Sequence, residues 1–283
     1  LLKKSICELA AKTNAGHAKL WGKIRGMQKD YYIVEGTVEG GDAGEDAPAD
    51  LEARVLAAND IKGVNEFVYW ASNSATGPWT QLPDLKPIDI TNARNIKHTF
   101  SGDLDAKIFT NPFYFETEKV YLRAQIARIS ISTTLWPKGW LRFKEDSNRD
   151  VEENVPEEGE MAKPATESMT NIGAWLHLYP SILNQGRLTH MPLPESETIG
   201  PDGEPLEPEA ILAKTVAADP WESRLKPAGD DDAVQGSLPA WVLRSCNVQG
   251  NVQLDPQFGR KPKNFGSVYV KSLWWPGAYN FYH

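Results

Sequence analysis

Long hydrophobic runs are missing from this chain: no apolar stretch approaches the ~18 residues that a membrane-crossing helix needs. A basic surplus is missing as well, because 30 Lys and Arg stand against 38 Asp and Glu, for a formal net charge of -8. Nucleic-acid phosphates and anionic lipid surfaces select basic proteins, so neither nucleic acid nor membrane is an expected partner. Cysteine is scarce. Cys7 and Cys246 lie far apart in unrelated contexts, and free thiols in the cytoplasm, or a space continuous with it, are expected. The chain opens at Leu1, without Met or an apolar leader, as a piece of a longer polypeptide would.

The spacings that carry catalysis are also missing: there is no glycine-rich phosphate loop, no H-E-x-x-H, no C-x-x-C and no G-x-S-x-G. Cys246 has no histidine close in sequence, and His17, His98, His177 and His190 read as structural or surface residues. Glu157 and Glu158 pair within a flexible acidic stretch that fixes no spacing for glycoside chemistry. Asp103 and Asp105 resemble part of a calcium loop without the rest of its twelve-residue ligand pattern. No catalytic, cofactor-binding or metal-ligating residue is assigned, and an enzyme is not expected.

What is present suits a folded body with an unusual aromatic load. Of 283 residues, 41% are hydrophobic and 10 are Trp, enough for one large domain or two small ones. Leu2, Ile6 and Leu9 mark one face of a short helix over 1–11. Leu20–Gly36 reads as a hairpin whose second strand sets Tyr31 and Ile33 on one face and Tyr32 and Val34 on the other, so both faces should be covered. A strand over 64–70 leads to a Pro/Gly turn that presents Trp79, read as a plug at a core edge rather than a sugar platform. A helix near 90–100 has Asp89 or Thr91 as its N-cap. Leu122, Ile126 and Ile129 predict a helix over 121–131 with Arg123 and Arg128 outward, suited to carboxylates of this chain or a neighbour. A further helix over 172–185, bent or split at Pro180, should end at Gly186.

Between these elements lie acidic and proline-rich stretches: 39–50, 144–164 and 192–236, the last pinned by Trp221 and Leu225. Strands at 240–245 and 266–283 follow, with Trp275-Pro276-Gly277 as a tight turn. The fold class is therefore α+β: a mainly antiparallel sheet from 20–36, 64–70 and 240–281, with packed helices and long acidic, Pro-rich loops. An N-terminal part over 1–144 and a C-terminal part over 171–283 are expected on either side of an acidic segment at 145–170, sharing one sheet. Limited proteolysis should cut first within 39–50, 145–164 or 195–218.

Several stretches carry a resemblance. LWGKI followed by DYYIVE, then GVNEFVYW (63–70), PWTQLP (78–83), NARNIKHTFSGDLDAKI (92–108), YLRAQIARIS (121–130), ILNQGR (182–187) and WPGAYNF (275–281) run in the order found in radial spoke head proteins of the 4/6 family. The chain resembles that family over roughly two-thirds of its length, departing from it at 246–265, where an insertion or local duplication separates VLRS from the WPGAY turn.

The resemblance implies a scaffold subunit at the tip of the axonemal spokes that link outer doublets to the central pair and help coordinate dynein. Its implied location is the cytoskeleton of the cilium or flagellum. Its implied partners are a paralogous 4/6-type chain about a pseudo-two-fold axis, the smaller radial spoke head protein 9, other spoke proteins and, transiently, central pair projections. Within that reading, Trp274, Trp275, Tyr279, Phe281 and Tyr282 are interface candidates, since strand alternation cannot hide all five on one face; Arg123 and Arg128 join them. An aromatic-rich carbohydrate- or peptide-binding module and an unrecognised hydrolase are the competing classes.

Overall fold

A computed structural model of the chain describes residues 1–38, 63–144, 151–155, 164–188, 198–200, 204–207, 210–211, 213–214, 224–231, 238–246 and 266–283. The chain divides into two compact units, 1–128 with 182–221, and 129–181 with 222–283. The expected segments 39–50, most of 144–164, the Trp221 anchor and the 246–265 insertion lie largely outside the described residues.

The first unit is built on an antiparallel sheet, β1 (Ala15–Ile24), β2 (Tyr31–Val38), β3 (Val68–Ser72) and β4 (Thr80–Gln81), in that order. Helix α1 (Leu2–Thr13) covers one face: Ile6 and Leu9 pack with Val34 and Trp70, and Trp79 caps this cluster, its indole donating to Ser5 Oγ at 2.8 Å. On the other face Tyr31, Ile33, Tyr69 and Ala71 meet Leu122 and Ile126 of α3 (Glu118–Thr133). Both faces of β2 are thus buried, as its apolar alternation requires. Asn14 ends α1 in the left-handed conformation at φ 53°, one of the few non-glycine residues suited to it.

Helix α2 (Pro87–Asn95) starts one turn before the expected N-cap. Proline at the first position costs no hydrogen bond there, and Asp89 serves from inside the first turn, accepting from Lys86 N at 2.8 Å. It also stops sooner than expected, at Ile96, whose backbone is extended.

The second unit holds the sheet β11-β10-β9 and two short two-stranded antiparallel pairs. These are β9 (Trp241–Cys246), β10 (Ser267–Ser272), β11 (Tyr279–Tyr282), β5 (Leu135–Pro137) paired with β8 (Trp175–His177), and β6 (Leu141–Phe143) paired with β7 (Val151–Glu153). Leu135, Met169, Trp175, Trp241, Val268, Val270 and Tyr282 form its core. The Trp275–Ala278 turn is closed by Ala278 N donating to Trp275 O at 3.0 Å, with Gly277 at φ 103°.

Three expectations are corrected. The mainly antiparallel α+β class stands, but among the described residues its strands do not form one sheet: β4 is only two residues long before Pro83, and 241–282 build a separate sheet. No helix spans 172–185. Ile172–Ala174 makes a single 3₁₀ turn, capped by Asn171 Oδ1 accepting from Gly173 N, and Trp175–His177 then pairs with β5. Pro180 lacks a donor and biases Tyr179 away from helix, leaving a stretch too short to hold a helix alone, so sheet pairing wins. The acidic segment after 144 carries a strand at 151–153, where Arg142 and Glu152 form an ion pair at 2.8 Å.

Candidate interaction surface

The resemblance-bearing motifs of the first unit converge on two polar nodes. In one, Glu118, fully buried at the start of α3, accepts from Tyr31 Oη at 2.7 Å, from Ser101 N at 2.9 Å and from Gly102 N at 3.0 Å, and lies 3.2 Å from His98 Nε2. Burial pushes its carboxyl up, but the donors from Tyr31, Ser101 and Gly102 outweigh this and hold it below the ordinary carboxylate range. The NARNIKHTFSGD stretch thereby fixes where α3 begins. Asp103 serves the same turn by accepting from Asp105 N at 3.1 Å.

In the second node, Arg123 is 1% exposed. Its Nη2 donates to Val64 O at 3.0 Å and lies 3.3 Å from Asn65 Oδ1, and its guanidinium sits 4.5 Å from the Tyr69 ring. Burial holds its pKa below the usual guanidinium value. The outward, carboxylate-paired Arg123 of the sequence reading is therefore corrected: α3 is covered on more than its Leu122–Ile126 stripe, so a residue next to that stripe is buried too. Arg128 is half-buried and donates to Gln125 Oε1 at 3.1 Å, also without a carboxylate in that bond. A third arginine, Arg94, donates to Ile182 O and Leu183 O at 2.7 and 2.5 Å, so the ILNQGR motif is a loop clamped by α2. These nodes hold the fold. His177 likewise pairs with Asp231 at 2.9 Å, and the Trp241 indole donates to the same oxygen at 2.7 Å. Burial raises the Asp231 carboxyl, and the His177 and Trp241 contacts bring it below its usual value.

The five aromatic candidates separate. Tyr282 points into the core against Trp175, its hydroxyl donating to Pro164 O. Trp274 is exposed and Trp275 half-buried at the turn. Tyr279 and Phe281, 45% and 75% exposed, lie on the outer face of β11, their rings stacked with centroids 6.0 Å apart. Tyr269 of β10 completes a three-ring cluster, 6.0 Å from Tyr279 and 5.9 Å from Phe281. Sequence reasoning missed Tyr269, although its alternation with the buried Val268 and Val270 places it on that face. It also passed over Phe109, Phe113 and Phe115, all exposed in the first unit around the buried Tyr114.

Rings held on a rigid strand and turned to solvent can bury area against another protein, whereas no described group of three or more His, Cys, Asp or Glu is placed to hold a metal ion. Residues 52–283 match the family model described as radial spokehead-like protein. The chain is 30% identical over 310 residues to mouse radial spoke head protein 6 homolog A, covering 93% of this chain and 41% of that protein. It is 29% identical over 301 residues to human radial spoke head protein 4 homolog A, covering 93% and 39%. It is 32% identical over 182 residues to flagellar radial spoke protein 4 of Chlamydomonas reinhardtii, covering 60% and 38%. The chain thus spans about two-fifths of the length of these curated relatives.

Proposed function

We infer the role of this chain from the family it belongs to, the radial spokehead-like proteins, and propose that it is a structural subunit of the axonemal radial spoke head. The observation that carries this reading is the family match across residues 52–283, on a body whose motif residues serve as fold-holding nodes. The outer aromatic face of β10 and β11, with Trp274 and Trp275 beside it, is the surface we assign to a neighbouring head subunit. The neighbours are a paralogous 4/6-type chain and radial spoke head protein 9.

In this role the subunit relays mechanical contact between the central pair and the dynein arms. Contacts renewed at every beat must release, and a charged surface releases where an apolar one holds. The acidic surplus is the face offered to the central pair. Co-purification of the tagged chain with axonemal spoke proteins from ciliated cells is expected, and recovery free of them overturns the reading. Charge reversal within 145–160 should alter beat frequency or waveform while leaving assembly intact; unchanged motility removes the charged-contact mechanism.

A further inference from the structure

We propose that the open edge of β11 takes up an extended, acidic segment of a partner polypeptide as a fourth strand of the β11-β10-β9 sheet. Three observations meet here. First, the hydrogen-bond phase leaves this edge unfilled. Ser272 N donates to Ala278 O at 3.1 Å, so in the register Val270↔Asn280 and Lys271↔Tyr279 it is Asn280 and Tyr282 whose main-chain groups face β10. The N–H and C=O of Tyr279 and Phe281 point the other way and meet no partner among the described residues. An unpaired edge of this kind is a template for strand addition.

Second, charge on this sheet is segregated. The chain carries 38 acidic residues, yet 238–246 and 266–283 contain none, while Arg244 and Lys271 both belong to the outer face. Lys271 is directly cross-strand from Tyr279. With strands ~4.8 Å apart, an added strand lies roughly 10 Å from the β10 backbone, within reach of a lysine and a glutamate side chain extended toward each other. An acidic segment is favoured there and a basic one repelled.

Third, the residues bearing the open groups also bear the exposed rings, so a single added strand fills the edge and covers Tyr279 and Phe281. Main-chain bonds supply the pairing, the rings the buried area and the lysine the choice of partner. A second copy of this chain, a nucleic acid or a lipid surface satisfies only part of this set.

The inference rests on the spoke-head reading only in taking the partner to be a neighbouring subunit, and it is tested separately. Two labelled ten-residue peptides of alternating residues, Val with Glu and Val with Lys, are titrated by fluorescence anisotropy, and amide hydrogen exchange is followed. The acidic peptide should bind, more weakly as salt rises, and should slow exchange at Tyr279 and Phe281. The basic peptide should not. Lys271→Glu with Arg244→Glu should weaken binding about tenfold or more. Phe281→Pro removes an N–H that bonds nothing among the described residues, and should abolish binding while leaving the melting temperature in place.

Equal binding of the two peptides, or protection elsewhere than β11, overturns the proposal. So does self-association that protects the same amides without peptide. If Phe281→Pro melts early, the charge variant decides: undiminished binding there is equally fatal. Retained co-purification with spoke proteins alongside failed peptide binding sinks this inference alone, and the reverse sinks the spoke-head reading alone.

Discussion

Tyr31 and Glu118, 87 positions apart, meet inside the first unit through a 2.7 Å hydrogen bond from the phenol to a fully buried carboxylate. The carboxylate also holds Ser101 N and Gly102 N, so one acid ties β2, the 101–102 turn and the start of α3 together. Glu118→Gln keeps the size but loses the charge and turns an amide toward donors; it should cost about 2–4 kcal/mol in urea unfolding. Because the folded pKa lies below the unfolded value of about 4.3, this stabilisation is present above the unfolded pKa and is lost as pH falls through the folded one. The acid limb of a stability–pH curve should therefore flatten in the variant, and an unchanged limb would show that the node contributes nothing.

Arg123 offers a test of buried against interfacial use. Lysine cannot reach both Val64 O and Asn65 while lying flat over Tyr69, so Arg123→Lys should destabilise the isolated chain by about 2 kcal/mol or more. A residue used only at a partner surface would leave the lone chain's thermal melt unmoved, and that result would restore the outward reading.

Two glycines separate strain from collision. A Cβ at Gly186, with φ 88°, would sit 2.1 Å from Pro87 O, whereas one at Gly277, with φ 103°, meets nothing within 4 Å. Gly277→Ala should cost only the left-handed backbone penalty of about 1–2 kcal/mol. Gly186→Ala should cost distinctly more, since backbone must move. Paired thermal melts measure the difference, and equal losses would refute the clamped geometry of the 182–187 loop.

The adjacent rings Phe281 and Tyr282 should behave oppositely. Tyr282→Ala hollows the second unit's core and should cost about 3–5 kcal/mol, while Phe281→Ala should stay within about 0.5 kcal/mol of the parent. In purified spoke heads the order reverses for the folded variants: Phe281→Ala and Trp275→Ala should be retained poorly, by about 2 kcal/mol for an interface anchor. A Trp275→Ala chain that melts early alone would assign that ring to its own core.

The elements legible in the sequence were those whose signal is local. The Leu2, Ile6, Leu9 spacing, the two-faced YYIV strand and the glycine turn at 277 each need only neighbouring residues, and each lies where it was expected. The 172–185 stretch shows the limit: Trp175, Leu176 and Tyr179 fit a helical face as well as a strand, and the choice was made by β5, forty residues away. Arg123 was misread for a related reason, because periodicity shows the most buried stripe of α3 but not how far burial extends around it. At the candidate surface, alternation showed only that the five rings could not share one face. That Tyr282, an interface candidate on sequence, belongs to the core follows from its packing against Trp175, and that Tyr269 lies beside Phe281 follows from cross-strand register. The strands at 20–36 and 241–282 gave no sequence sign that they belong to different sheets, since pairing is set by edges and not by composition.

The two cysteines have a practical use. Cys7 on α1 and Cys246 at the end of β9 are both free and exposed, they are the only thiols in the chain, and one lies in each unit. Maleimide labelling of the unaltered sequence therefore puts a fluorophore on each unit without an engineered residue. Energy transfer between the two dyes becomes a strain gauge, in which a distance that changes under load, or on capture by a partner, reports motion between the units of a single molecule.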